Sequence, residues 1–279
     1  MARMAATAQK AALWPARLHH LRRDSPQPER LAAFYGELLG DRCERLADGS
    51  WLVHGRGRRL VIGPGEPGAV PYFALEMQDA AHLASYRKSL ERTEDFASPL
   101  LEAGAFTLQD PDGRNVVFGL ARNAPSGEGL PGRLQHFVCA TTRLQEMTAF
   151  YRGLGMLESD RVLEKEDLAA VFLRSDPEHH CFAAFRAPAS RPDHHCYETN
   201  GWLDIRDWGD RMGRLGIPLF WGPGRHGPGN NLFFMVEDPD GHKVEFSAEL
   251  ELMTREAPVR TWPHEQRTLN LWGSAWMRS

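Results

Sequence analysis

The chain repeats itself, and this repeat limits the folds open to it more than any other feature. The segment RLHHLRRDSPQPERLAAFYGELLG, at residues 17–40, aligns without a gap with RLQHFVCATTRLQEMTAFYRGLGM, at residues 133–156. In this alignment His20 falls on His136, and both segments carry the tripeptide Ala-Phe-Tyr at the same place. A repeat of this length predicts two tandem copies of one structural unit.

Each copy ends in the same turn. The tetrapeptide Asp-Pro-Asp-Gly occurs at residues 110–113 and again at residues 238–241. It favours a turn because proline presets φ at the second position and glycine accepts a left-handed exit. Before this turn, each copy has the pattern of a short strand, an amphipathic helix, further strands and a second helical stretch. The order predicts an α+β fold, with function in the positions where the copies differ.

Composition and landmarks set the predicted boundaries. The stretch NAPSGEGLP between the copies has the composition of a linker. The predicted organisation is an N-terminal extension at residues 1–14, a first module at 15–122, a linker at 123–131, a second module at 132–250 and a tail at 251–279.

Bulk properties exclude several classes of protein. The net charge of −4 gives no reason to expect nucleic acid or an anionic membrane as a partner. The four cysteines form no Cys-x-x-Cys motif, which favours a reducing cytoplasm over a disulfide framework. Gln9 and Lys10 interrupt the N-terminus before an apolar stretch of signal-peptide length forms, and no run of about 18 apolar residues occurs. A cytoplasmic protein is predicted.

One charged position separates the two copies. Glu245, shortly after the second turn, stands where the first copy has Val117. Alone, it fits a solvated carboxylate on the polar face of a hairpin. Together with His136 and one of the adjacent histidines 194 and 195, it makes a candidate set of two histidines and one carboxylate. Only one histidine of that pair can face inward on a strand. Such a set is typical of non-haem Fe(II) sites with open positions.

A family resemblance makes this set specific. The segment GRHGPGNNLFFMVEDPDGHKVE, at residues 224–245, is similar to the signature of the type I extradiol ring-cleavage dioxygenases of the vicinal oxygen chelate superfamily. That signature contains Gly-x-His, a Tyr, Asp-Pro-x-Gly and a Glu, and Met235 here stands at the Tyr position. The segments LQHFV, EHHCFAAF and DHHCYE also resemble that family, and the tail resembles its homoprotocatechuate-cleaving branch.

The resemblance implies a fold and different roles for the two modules. Each of two tandem vicinal-oxygen-chelate modules would be a pair of βαβββ units that form a cupped mixed sheet. Only the second module would bind metal, because the first has Val117 and no histidine in AVPYFALEM. A homo-oligomer is expected on the same basis.

The resemblance also implies metal ligands. His136 and Glu245 match two of them. In DHHCYE the latter histidine usually binds in this family, so His195 is expected to be the third ligand, in preference to His194. The metal is expected to be Fe(II), and the same ligands would also accept Mn(II).

The remaining site residues follow from the same resemblance. His180 is expected on the dioxygen side of the metal as the acid/base, and His226 beside the substrate as a hydrogen-bond donor. Met235 would lie against the substrate without a hydroxyl to offer it. His226 or Tyr197 would then supply the missing hydrogen bond.

The predicted reaction is extradiol cleavage of a catecholic ring with O2, which gives a ring-opened semialdehyde-type product. Two alternatives stand beside it. One is another metal-dependent enzyme of the same superfamily, an isomerase or a thiol transferase, and the other is a protein that binds an aromatic ligand without catalysis. In the tail only Arg267 lies close by, which disfavours a carboxylated catechol as the substrate.

Overall fold

Two mixed sheets, one from each copy, build the protein. The computed structural model describes residues 13–122 and 129–277. Most of the predicted extension (1–14) and of the predicted linker (123–131) lies outside the described residues. The described part has two mixed sheets with few helices, which confirms the predicted α+β class.

The first sheet has eight strands, joined in the order β2-β3-β4-β1-β5-β8-β7-β6. Its elements are β1 (Ala16–Ser25), α1 (Pro28–Leu39), β2 (Arg42–Arg45), β3 (Trp51–Gly55), β4 (Arg58–Pro64), β5 (Tyr72–Met77), α2 (Ala80–Lys88), β6 (Glu94–Asp95), β7 (Phe106–Gln109) and β8 (Asn115–Gly119).

The second sheet has nine strands, in the order β14-β15-β16-β13-β9-β12-β11-β10-β17. Its elements are β9 (Arg133–Thr141), α3 (Leu144–Gly153), β10 (Leu157–Glu164), β11 (Asp167–Arg174), β12 (Phe182–Arg186), β13 (Arg191–Thr199), α4 (Trp202–Leu215), β14 (Leu219–Arg225), β15 (Leu232–Glu237), β16 (Lys243–Ala248), β17 (Arg260–Pro263) and α5 (Gln266–Leu269). The tail supplies β17 and α5, so it completes the sheet that carries the candidate site.

Local chemistry explains where the first helix of the first sheet begins and ends. Helix α1 begins at Pro28, where proline is tolerated because the first amide of a helix has no intrahelical partner. It ends at Gly40, whose φ of 70° is in the left-handed region. Its apolar face buries Leu31, Tyr35 and Leu38.

None of the helices in the described residues combines the length and the apolar character that a membrane span requires.

The strand register shows that the two copies are equivalent. In the first sheet His20 pairs with Ala74, which pairs with Val117. In the second sheet His136 pairs with Cys196, which pairs with Glu245. The valine therefore occupies the place of the glutamate. Tyr72 lies two residues before Ala74, and His194 lies two residues before Cys196. Tyr72 therefore occupies the place of His194.

Each Asp-Pro-Asp-Gly turn also ties one module to the other. The hydroxyl of Tyr35, on α1, donates to Asp238 Oδ2 at 2.8 Å, and Arg23 donates to the same oxygen at 3.1 Å. In reverse, the hydroxyl of Tyr151, on α3, donates to Asp110 Oδ2 at 3.1 Å. Both aspartates are buried. The repeated turn is therefore a reciprocal anchor between the modules as well as a hairpin closure.

The cup of the first sheet is filled with side chains. Tyr72, Val117 and Leu101 form a buried apolar cluster there, with Phe96 packed against it. His20 is buried beside this cluster, with its Nδ1 2.8 Å from His19 Nδ1 and its ring edge-on to Tyr72. The first cup is thus an apolar core where the second cup has polar groups.

Candidate metal centre and active site

Three buried side chains converge on one point in the second cup. His136 lies on β9, His194 on β13 and Glu245 on β16, and β13 is the middle strand of the three. His194 Nε2 lies 3.1 Å from Glu245 Oε2, and His136 Nε2 lies 3.3 Å from His194 Nε2. One ligand atom from each residue lies within 4.8 Å of the others, so a single cation could contact all three.

The partners of the two histidines direct their free nitrogens at this point. His136 Nδ1 donates to Gln135 Oε1 at 2.6 Å, and Gln135 is itself oriented because its amide donates to the carbonyl of His180. His194 Nδ1 donates to Asp193 Oδ1 at 2.5 Å. Each neutral imidazole then presents the lone pair of Nε2 to the cluster, as metal-binding histidines do.

The charge at the centre suits a divalent cation. Burial alone would raise the pKa of Glu245, but His136, His194 and His226 outweigh it and hold that pKa well below its usual value. Its Oε2 is buried and receives no hydrogen bond from the described residues. Burial alone would lower the pKa of His194, but Asp193 and Glu245 outweigh it and raise the value. The ionised Glu245 leaves a buried negative charge at the centre, which a bound divalent cation would offset.

His195 is not part of this cluster, and its expected role as a metal ligand is wrong. Side chains alternate along β13, so His195 points away from Glu245. Its Nδ1 lies 3.0 Å from His242 Nε2, and its ring packs 5.8 Å from Tyr35 of the first module. The structure brings His194 to the other two ligands instead.

Tyr197 shares the face of His195, and its expected contact with the substrate is wrong for the same reason. Its ring packs on Phe246, 6.0 Å away, within the apolar core that the modules share. Its hydroxyl is buried and has no hydrogen-bond partner among the described residues.

A small, mainly apolar cavity of about 30 Å³ opens onto the three ligands. His180 and His226 both line this cavity. The sequence predicts both residues near the substrate. The rest of the wall is mainly apolar and consists of Val138, Phe172, Phe185, Pro228, Thr268 and Leu269.

His180 sits directly against the metal cluster. Its ring centroid is 4.4 Å from that of His136, and Phe172 packs edge-on to it at 5.2 Å. Burial lowers the pKa of His180 well below its usual value. The side chain is therefore neutral at neutral pH, with one nitrogen able to accept a proton.

His226 follows the end of β14 and is held on both sides. Its Nδ1 donates to the carbonyl of Leu269 at 2.5 Å, and its ring stacks on Phe233 with centroids 3.7 Å apart. Its Nε2 lies 3.8 Å from Glu245 Oε1. The ring is thus fixed at the cavity wall beside the metal cluster.

Met235 lies on β15 directly across from Glu245. Residues opposite each other in a sheet point to the same side, so its thioether faces the cup. It is fully buried among Val138, Phe233 and Trp221 and does not reach the cavity wall. Its contact with a substrate stays a prediction.

Several contributors to the site were not predicted from the sequence. Thr268 and Leu269 of the tail cover the cavity, and Asn231 donates to Glu245 Oε1 at 3.2 Å. Gln135 and Asp193 each immediately precede a ligand histidine. A polar side chain just before a candidate ligand is a signal that could have indicated their orienting role.

A known protein family matches the second module. Residues 133–246 match the family described as the Glyoxalase/Bleomycin resistance protein/Dioxygenase superfamily. Metapyrocatechase 2 of Cupriavidus necator is 30% identical over 135 residues, which is 48% of this chain and 41% of that protein. The chain thus matches less than half the length of this curated relative.

Solved structures resemble the whole chain. Homoprotocatechuate 2,3-dioxygenase from Arthrobacter globiformis superposes with a TM-score of 0.82 at 21% identity, over 99% of this chain and 93% of that one. The enzyme of the same name from Brevibacterium fuscum, in an anaerobic complex with 3,4-dihydroxyphenylacetate, gives a TM-score of 0.83 at 19% identity, over 96% and 92%. The predicted fold of two tandem modules is confirmed by these matches.

Proposed function

We propose that the chain belongs to the Glyoxalase/Bleomycin resistance protein/Dioxygenase superfamily, whose family model matches residues 133–246, and that it is an extradiol dioxygenase. It cleaves a catecholic ring beside its two hydroxyl groups, with O2 and a divalent metal held by His136, His194 and Glu245. The observation that carries this proposal is the convergence of these three buried ligand atoms at the end of an aromatic-lined cavity.

Fe(II) is the proposed metal, with Mn(II) as the alternative that the same ligands accept. Two imidazoles and one carboxylate are the ligand set of non-haem Fe(II) oxygenases, which leaves coordination positions open. A cation held by His136, His194 and Glu245 would favour loss of the catechol protons and would bring the substrate and dioxygen together. Both oxygen atoms enter the product, a ring-opened semialdehyde, so no external reductant is required.

The protein side chains bind the ring and handle protons. Phe172, Phe185 and Leu269 contact the aromatic ring and exclude water from it. His180 is the acid/base, because its neutral imidazole at the cavity wall accepts a catechol proton and later returns it. His226 contributes a hydrogen bond to the substrate: because its Nδ1 donates to the Leu269 carbonyl, its Nε2 is the atom left to accept from a catechol hydroxyl.

An uncharged catechol is the proposed substrate class. The relatives are named for pyrocatechol and homoprotocatechuate, and one solved relative holds 3,4-dihydroxyphenylacetate, which carries a carboxylate. In this chain, no lysine or arginine occurs among the described residues that line the cavity. Arg267, the nearest tail arginine in sequence, is exposed. A buried carboxylate without a cationic partner would be unfavourable there.

Reconstitution with Fe(II) under anaerobic conditions tests the proposal. After oxygen is admitted, we expect catechol or 4-methylcatechol to give a yellow ring-fission product, with one O2 consumed per product formed. With 3,4-dihydroxyphenylacetate, we expect kcat/KM to be lower by roughly tenfold or more, as for an unpaired buried charge. Glu245→Gln, matched in size, is the control without a charged ligand. Fe(II) binding without oxygen uptake on any catechol would favour the isomerase or thiol transferase alternative and contradict the proposal.

A cytoplasmic location is also part of the proposal. It rests on the four cysteines, all of which are free thiols in the structure. Assembly into a homo-oligomer stays a prediction.

A further inference from the structure

A line of buried polar groups runs from the cavity wall into the protein behind His180. His180 Nδ1 lies 2.9 Å from Nδ1 of His179, the preceding residue in the chain. On the far side of that ring, His179 Nε2 lies 3.0 Å from Asp160 Oδ2, which is an ion-pair distance, although the angle is not that of a hydrogen bond. All three side chains are buried, and His179 and Asp160 have no exposed surface. Buried polar groups are normally paired with one another, so these short contacts restrict where the protons lie.

Asp160 is fixed by the tail. Arg260 Nε donates to its Oδ1 at 2.7 Å, and Trp262 Nε1 donates to its Oδ2 at 2.7 Å. Both partners lie on β17, which pairs with β10 next to Asp160. Burial alone would raise the pKa of Asp160, but His179 and Arg260 outweigh it and lower that pKa. Asp160 is therefore an ionised carboxylate, which accepts hydrogen bonds and donates none.

The position of this carboxylate decides where the imidazole protons lie. Two Nδ1 atoms at 2.9 Å need one hydrogen between them, so one ring donates and the other accepts. An ionised Asp160 favours a hydrogen on the facing Nε2 of His179. A neutral imidazole carries only one N–H, so His179 Nδ1 is then the acceptor. His180 must donate from Nδ1, which leaves the lone pair of its Nε2 for the cavity.

We propose that His179 and Asp160 are positioning residues, which hold His180 in the tautomer with an unprotonated Nε2 on the cavity side. This tautomer prepares His180 to take a proton from a bound catechol. The use of that nitrogen in catalysis rests on the proposed function, whereas the tautomer itself does not. Arg260 and Trp262 connect this preparation to the folding of the tail against β10.

Nitrogen NMR of histidine reads the tautomer directly. The protein is labelled with ¹⁵N-histidine and measured both metal-free and with diamagnetic Zn(II), and His180→Gln identifies the His180 signals by their loss. In the wild type we expect a protonated Nδ1 and an unprotonated Nε2. His179→Phe removes the acceptor of the Nδ1 proton, so the proton should move to Nε2, the form that a free histidine prefers. Asp160→Asn keeps the shape of the side chain and should move a large part of the population in the same direction.

Trp262→Phe is the matched control, because it removes one donor to Asp160 and leaves the carboxylate and Arg260 in place. Its His180 signals should equal those of the wild type. An Nε2-protonated His180 in the wild type, or signals unchanged in both His179→Phe and Asp160→Asn, would overturn the inference. Thermal unfolding shows which variants are folded. If Asp160→Asn does not fold, His179→Phe alone is sufficient for the test.

Kinetics separate this inference from the proposed function. If the positioning role and the proposed function both hold, His179→Phe lowers kcat on catechol by roughly tenfold and leaves KM unchanged. This loss is smaller than the full rate contribution of an acid/base, because His180 itself remains. If the tautomer shifts as expected but no form of the protein consumes oxygen, the positioning role stands and the proposed function fails. An unchanged kcat in an active enzyme whose tautomer has shifted would refute the role of the pair in preparing His180.

Discussion

His194 and His195 are neighbours in the chain, yet their imidazoles lie on opposite faces of β13. The first has its Nε2 3.1 Å from Glu245 Oε2 in the second cup. The second stacks on His242 with ring centroids 5.2 Å apart, at the contact with the first module. One face of this strand therefore belongs to the metal cluster and the other to the junction between modules.

Substitution of these two histidines should have unequal effects on metal binding. We expect His194→Gln to weaken Fe(II) binding by more than about 100-fold, because loss of even an outer partner of a ligand weakens binding 10- to 100-fold. His195→Gln should keep the metal, since its side chain lies on the other face. Metal content after dialysis against a weak chelator measures this. Retention of iron by His194→Gln with loss from His195→Gln would restore the ligand choice drawn from the sequence.

The reciprocal anchors should be visible in stability. Tyr35→Phe and Tyr151→Phe each remove a hydroxyl that donates to a buried carboxylate, at Asp238 and Asp110 respectively. We expect each change to lower the free energy of unfolding by about 1–3 kcal/mol, as for hydrogen bonds to charged groups. Urea denaturation measures it. Tyr197→Phe is the matched control, because that buried hydroxyl has no partner in the described structure, and its removal should be neutral or stabilising.

Glu198 should make stability depend on pH. Burial raises the pKa of Glu198 to about 7, although Ser247 and the amide of Leu250 donate to its carboxyl group. The folded state then holds a proton that the unfolded state releases from about pH 4.5 upward, so stability falls as pH rises from there to about 7. Part of the side chain still reaches solvent, so we expect Glu198→Gln to stabilise by about 1 kcal/mol at pH 8 and not at pH 5.

Thermal unfolding of Glu198→Gln across this pH range is the measurement. Glu256→Gln, at an exposed position, is the control and should give a difference that does not change with pH. A stabilisation by Glu198→Gln that is the same at pH 5 and pH 8 would contradict an elevated pKa.

Met235→Tyr should add a hydroxyl beside Glu245. We expect kcat on simple catechols to stay the same or rise, since a Tyr hydroxyl can donate to the substrate where a thioether cannot. The larger ring enters a packed cluster, so a loss of about 1–3 kcal/mol in stability is expected. Met235→Leu, of similar size without the hydroxyl, should give no gain in kcat. A large fall in kcat with iron still bound would show that this position does not face the substrate.

Residue patterns were sufficient for the repeat and for two of the three proposed ligands. Comparison within the chain singled out Glu245, because the first copy has Val117 there, and the family resemblance of the segment LQHFV indicated His136. The choice between His194 and His195 could not be made in this way. Both faces of β13 are covered, one by the cup and one by the other module, so no alternation of polar and apolar residues shows which way the strand faces.

The part of the tail that covers the cavity could not be predicted from the sequence, for another reason. Leu269 covers the site because β17 pairs with β10, and Asp160 pairs with Arg260 across 100 residues of chain. Long-range pairing of a short strand leaves little local pattern. The contact between His179 and Asp160 likewise joins residues that are distant in the sequence.

The packed interior of the first cup has a consequence for protein engineering. A carboxylate introduced at Val117 would bury a charge against Leu101 and Phe96, with Tyr72 in the place that His194 has in the second module. Burial of that unpaired charge would cost several kcal/mol. A metal site in the first module would therefore require several simultaneous substitutions, and no single one of them would be favourable by itself.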